Sequence, residues 1–155
     1  MKNTRIVIIV MVFALTGLMG CGGSTEADQS SEPPQSMVKK VEVDPMDNPG
    51  IGPVAELVLP ADIDMDMAAE GEKIYLLKCS ACHKATEKFI GPAPVGIFER
   101  RNPAWVMNMI LNPDQMVKED PIAKKLLMEF NGSPMANQSL KEEEARAIVE
   151  YFRTL

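Results

Sequence analysis

Two thiols three positions apart, followed at once by an imidazole, stand at Cys79-Ser80-Ala81-Cys82-His83. One helical turn apart, each thiol can form a thioether to a vinyl group of the same porphyrin, and the imidazole then lies under the iron. A histidine that binds a metal is neutral and is held by its other ring nitrogen, so an acceptor close to His83 is expected. The same five residues also fit a zinc half-site or a thioredoxin-type redox pair. Zinc takes four ligands, commonly from a second Cys or His pair, and this chain has a single histidine and one other cysteine, Cys21. A redox pair calls for a βαβ setting, which the helical surroundings do not offer. The motif therefore predicts one covalently bound haem c, attached through Cys79 and Cys82, with His83 as an axial ligand.

Without a second histidine, the other axial ligand must be of a different type, and methionine is the natural candidate. After the motif come Met107, Met109, Met116, Met128 and Met135. Core filling accounts for most of them, because methionine packs irregular gaps well. Met107, Met109 and Met128 fall in predicted helices. Met135 instead follows Gly132-Ser133-Pro134 in an extended loop, which can carry a side chain across the cofactor face opposite His83. Position favours Met135, with Met116 and Met128 as its main competitors.

Helices must position these groups. Asp66 is placed to cap a helix from Met67 to Lys78, with Met67, Gly71, Ile74, Tyr75 and Lys78 at helical spacing, and this helix delivers Cys79. Gly71 inside it suggests close approach of another helix. Gly91-Pro92-Ala93-Pro94 excludes regular structure. Asn102-Pro103 opens a second helix that Asn112-Pro113 stops, and Asp120-Pro121 opens a third that ends before Gly132. Ser139 and Glu142 form a capping box for a last helix bearing Ala145, Ile148, Val149, Phe152 and Leu155. Four helices and no credible strand pair predict a small all-α domain over residues 51–155.

Residues 1–20 have the form of a signal segment: Lys2 and Arg5 precede an apolar stretch from Ile6 to Leu15 that is too short to span a membrane. Leu18-Met19-Gly20-Cys21 resembles the lipobox of bacterial lipoproteins, in which the cysteine carries lipid; a plain secretory signal is the alternative. The small, polar, proline-containing run from Gly22 to Pro34 cannot bury enough apolar surface to offset its ordering entropy. Residues 21–50 thus read as an acidic tether bounded by the Asn48-Pro49-Gly50 turn, with a typical span of roughly 30 Å and an upper reach of about 100 Å. Val54 to Leu59 is apolar enough to lie on the domain as an extended strap. The tether carries six acids against two lysines, and residues 51–155 carry sixteen acids against twelve bases, so each has a net charge of −4. An acidic chain without a basic stripe is a poor nucleic-acid binder, and a positively charged protein partner is the better match.

From about Asp66 to Leu155 the chain resembles a class I cytochrome c. The resemblance rests on Gly71-x-x-x-Tyr75 ahead of Cys79-Ser80-Ala81-Cys82-His83, on Gly91-Pro92, and on Pro134-Met135 before a terminal helix with Ile148 and Tyr151. It implies that the first and last helices cross, with Gly71 and Tyr75 against Ile148 and Tyr151. It also implies that the Pro92 carbonyl accepts the His83 ring N–H, and that Arg100 or Arg101, with Trp105, bonds a haem propionate. A narrower resemblance lies in Glu99 to Ile110 and Pro134 to Gln138. With the lipobox, these are similar to small lipoprotein cytochromes c encoded alongside nitrous oxide reductase in some bacteria.

The function implied is a lipid-anchored one-electron carrier on the periplasmic side of a bacterial membrane. Its partners would be redox proteins, a donor and a terminal reductase or oxidase such as nitrous oxide reductase. With both axial positions filled no site is open to a substrate, so no catalytic residue is expected. Two alternatives remain: a haem enzyme or gas sensor with a labile sixth ligand, and a permanent electron-transfer subunit of a larger complex.

Overall fold

The computed structural model describes residues 43–155, all in helices, turns and loops, with no strand among them. The signal segment, Cys21 and the tether as far as residue 42 lie outside the described residues. Five α-helices follow in order: α1 (Met65–Lys78), α2 (Pro103–Leu111), α3 (Pro113–Glu119), α4 (Pro121–Glu129) and α5 (Glu142–Phe152), with a 3-10 turn at Ile97–Glu99.

The caps explain most of these boundaries. Asn102 accepts from the Ala104 N–H and Asp120 from the Ala123 N–H, each followed by a proline at the first helical position. Such caps are worth about 1 kcal/mol each. Asp64, not Asp66, caps α1 by accepting from the Met67 N–H, which moves the start to Met65 and leaves Asp66 in the first turn. At α5 the Ser139-Glu142 box does not form. Ser139 sits in the left-handed region at φ 52°, and the Glu144 carboxylate accepts from the Lys141 N–H at 2.8 Å. Helix α3 goes beyond the four expected. Asn112-Pro113 does stop α2, but the proline that breaks one helix is preorganised to begin the next, and Asn112 serves both.

Helices α1 and α5 cross at Gly71, where a Cβ would overlap the Ala147 carbonyl. Only glycine admits this approach. One turn further, Tyr75 packs on Tyr151 at 5.3 Å between ring centroids and edge-on against Phe152 at 5.8 Å, pairs worth about 1 kcal/mol each beyond their buried area. Ile148, Val149, Ala145, Trp105, Val106 and Ile110 make up much of the core between α5 and α2.

The expected strap from Val54 to Leu59 lies on this core within a longer wrap, residues 44–62, whose first part falls in the stretch read as tether and is anchored through Pro45 and Asn48. Ile51, Val54, Leu57 and Leu59 pack on the core, while the exposed Val58 faces away. Polar anchors hold the wrap at intervals. The Pro45 carbonyl accepts from the Asn102 N–H at 3.1 Å. Fully buried Asn108 donates to the Pro49 and Val54 carbonyls and accepts from the Val54 N–H. Near the start of α1, Arg153 donates to the Pro60, Ala61 and Asp62 carbonyls.

Glu150, about 1% exposed, closes this corner by accepting from the Asp64 N–H, Arg146 and Arg153. Burial alone would raise its pKa, but the Asp64 N–H and the two guanidinium groups hold it below the usual carboxylate range. A depressed pKa contributes stability above the unfolded value of about 4.3, and that stability is lost as pH falls through the folded value. We therefore expect Glu150→Gln to lower stability at neutral pH by about 3 kcal/mol and to flatten the acid limb of a stability-versus-pH curve measured by denaturant titration.

Candidate functional site

The last turn of α1 continues past its cap into the thiol pair. Cys79 N–H donates to the Tyr75 carbonyl at 2.8 Å, and the Cys82 and His83 N–H groups both return to the Cys79 carbonyl, at 3.0 and 2.9 Å. Both sulfurs and the imidazole are thus held on one turn. The two thiols are free rather than joined to each other. Burial pushes the Cys79 thiol up to about 11, with Lys78 opposing and Cys82 adding to the rise. Among the described residues no group of three or more Cys, His, Asp and Glu side chains could hold a metal ion.

The chain then loops back onto His83. The Gly91 N–H donates to the Cys82 carbonyl at 2.9 Å and the Phe89 N–H to the Gly91 carbonyl at 3.1 Å. This closure brings the Pro92 carbonyl to 2.8 Å from His83 Nδ1. A carbonyl only accepts, so Nδ1 carries a proton, and in the neutral ring Nε2 then keeps the lone pair that a metal needs. Gly91 lies flat against the ring, where a Cβ would come within 2.7 Å of Nδ1. From the other side, the Tyr75 hydroxyl donates to the His83 carbonyl at 2.7 Å. Burial, with smaller effects from Tyr151 and Cys79, pushes the Tyr75 phenol up to about 12, so it remains a donor well into alkaline solution. The Gly91-Pro92 pair was visible in the sequence, whereas nothing in it signalled the hydroxyl's partner.

His83 opens onto a cavity of about 250 Å³, walled by the Ile90–Pro94 loop, α2, α4, the Ser133–Gln138 loop and α5. A smaller cleft of about 150 Å³, between the outer ends of α1 and α5, touches none of the expected site residues. Cys79, Cys82, His83, Pro92, Arg100, Arg101, Trp105 and Met135 all line the larger one. Of the five methionines, Met135 and Met109 line it. Met116 is fully buried under the strap, its sulfur accepting from the Ile51 N–H at 3.0 Å, and Met128 is exposed on α4. The competitors of Met135 that looked strongest in sequence are therefore elsewhere, and Met109 takes their place.

The three groups expected near a propionate differ in what they have left to offer. Trp105 has one donor, and in this structure its Nε1–H goes to Asp120 Oδ1 at 3.0 Å while the ring lines the cavity. Arg100 uses two of its five N–H groups on the Val95 and Ala93 carbonyls. Arg101 donates to the Arg100 carbonyl and stacks 5.4 Å from the Trp105 ring centre. Burial and the neighbouring Arg100 pull the Arg101 pKa down, against the opposing pull of Glu129 and Asp120. Both guanidinium groups keep unused donors at the cavity wall. Two sulfurs and an imidazole with Nδ1 already engaged, beside a mainly apolar cavity with cationic donors at its edge, suit a thioether-linked haem. The glycine that lets the loop reach the ring completes that fit.

A family model described as Cytochrome c matches residues 68–155. Among solved structures, the cytochrome c from Rhodothermus marinus is 43% identical over 66% of this chain and 88% of its own, with a TM-score of 0.64. An engineered form of that protein, bound to a carbene intermediate, is 43% identical with the same coverage and a TM-score of 0.61. The cytochrome c domain of a Pseudomonas putida protein is 31% identical over 54% of this chain and 85% of its own, with a TM-score of 0.51. No curated protein matches the chain.

Substituting Gly91 tests the loop closure directly. Gly91→Ala drives a methyl group into the imidazole, so we expect it to displace His83 and alter the haem absorption spectrum of the unsubstituted protein, even where mass spectrometry finds the cofactor attached.

Proposed function

Because the chain belongs to the cytochrome c family and is thus a haem-based electron carrier, we propose that it holds the iron between His83 and Met135 and works as a lipid-anchored shuttle outside the cytoplasm. The observation that carries this reading is the commitment of His83 Nδ1 to Pro92, which leaves Nε2 free as a metal ligand, in a cavity that Met135 also lines.

Bound through Cys79 and Cys82, haem c supplies a one-electron iron couple. The residues around it fix its surroundings. Tyr75, Gly91 and Pro92 limit the motion of His83, so the ligand geometry changes little when an electron arrives or leaves. The apolar wall from α2, α4 and α5 excludes water, and Met/His ligation with a dry surround favours a raised potential. Arg100 and Arg101 offer charge-assisted hydrogen bonds to the propionates. Cys82 and the neighbouring Ala81 are exposed, which supports the thioether side as the face presented to redox partners. The acceptor in this proposal is a terminal reductase or oxidase, and the sequence resemblance points to nitrous oxide reductase.

Met135 sits in a loop that is largely exposed from Asn131 to Ser139. That placement favours a second reading, a haem enzyme or gas sensor in which Met135 lets go. Met135→Ala is expected to leave the haem attached, remove the methionine-to-iron charge-transfer band and let the ferrous protein bind carbon monoxide. An unchanged spectrum would move the sixth ligand to Met109, and rapid gas binding by the unsubstituted protein would favour the sensor. For the anchor, Cys21→Ser should release the protein from membranes with its redox chemistry unchanged, as fractionation would show; retention on the membrane would count against a lipid.

A further inference from the structure

Asp120 is about 1% exposed, and the site described above makes no direct use of it. Its Oδ1 accepts from Trp105 Nε1 at 3.0 Å and from the Ala123 N–H at 2.7 Å, and its Oδ2 accepts from Asn48 Nδ2 at 2.6 Å. Three N–H donors converge on the two oxygens, the partner set of an ionised carboxylate. All three are neutral, and among the described residues no lysine or arginine forms an ion pair with Asp120. Glu150 is buried to the same extent but has two guanidinium partners. Arg101, stacked on the same Trp105 ring, feels the Asp120 charge but forms no ion pair with it, and an interior anion without a directly paired counter-ion is costly to keep. Capping α4 does not require it, since a neutral asparagine or serine caps a helix as well.

What sets Asp120 apart is its neighbour. The indole whose N–H it holds is a wall of the haem cavity. We infer that Asp120 tunes the one-electron couple through Trp105. Its fixed negative charge, acting across a low-dielectric ring, favours the oxidised form, which carries one more positive charge, and so lowers the midpoint potential. Such a buried charge is little screened by salt. The inference rests on the electron-carrier reading, and the test separates the two.

Potentiometric titration of the haem-loaded protein, at low and at high ionic strength, reads the effect. Asp120→Asn and Asp120→Ser both keep a cap and remove the charge. Each is expected to raise the ferrous-to-ferric ratio at fixed poise by about tenfold, an upward shift of about 59 mV for one electron, and to do so equally at both ionic strengths. Asn108→Ala serves as the structural control, because it removes the strap's anchors at Pro49 and Val54 while keeping the Asp120 charge and its bonds to Trp105 and Ala123, and it should leave the potential in place. Unchanged potentials in both neutral variants would overturn the inference, and so would an equal rise in Asn108→Ala, which would assign the effect to a loosened strap. If the unsubstituted protein lacks a reversible one-electron couple, the carrier reading falls and the inference with it. A reversible couple indifferent to Asp120 would sink the inference alone.

Discussion

A neutral imidazole that offers one nitrogen to a metal carries its proton on the other, and in this chain the Pro92 carbonyl holds that proton on His83 Nδ1. Much of the local structure follows from that hydrogen bond. Pro92 reaches the ring because the Gly91 N–H ties back to the Cys82 carbonyl and because Gly91 has no side chain to stand in the way. The thiol turn in its own right is an overrun of α1, and α1 is seated by its glycine contact with α5. Chemistry at the iron therefore depends on a close backbone contact more than a helical turn away from the nearest ligand.

Polar burial does the remaining work of alignment. Asn108, Asp120 and Glu150 are each almost wholly buried, and each joins segments far apart in the chain. Asn108 binds α2 to the strap, Asp120 binds the strap to Trp105 and α4, and Glu150 binds α5 to the start of α1. No buried side-chain nitrogen or oxygen among the described residues lacks a partner, so these groups give direction to the packing without an unsatisfied-donor penalty. Apolar contacts alone would leave several ways to lay an extended strap over a helical core. Buried amides and carboxylates with fixed partners select one.

Features set by local chemistry were legible in the sequence. The thiol pair, the histidine, the Asn102-Pro103 and Asp120-Pro121 starts and the helical stripe of α5 all draw on residues within a turn or two of one another. Helix α3 was not legible, because its seven residues bury only Pro113 and Met116 and so show no periodicity. The caps at Asp64 and Lys141 were misplaced because acidic residues crowd both starts and several could serve. For the site, the sequence supplied the residues that line the cavity but not their hydrogen-bond partners. That Trp105 spends its donor on Asp120, and that Met116 is sealed beneath Ile51, depend on contacts across 15 and 65 residues, beyond the reach of spacing arguments.

The strap has a mechanical consequence for any protein held by its N-terminal side. Its anchors come in series along the chain: the Pro45 carbonyl on Asn102, Asn48 on Asp120, Pro49 and Val54 on Asn108, and last the carbonyls before α1 on Arg153. A pull from upstream loads them one after another, as a zipper is loaded, and each bond must open before the next takes strain. The thiol turn lies beyond all of these anchors, so a tug from upstream is spent on the wrap before it reaches the cavity.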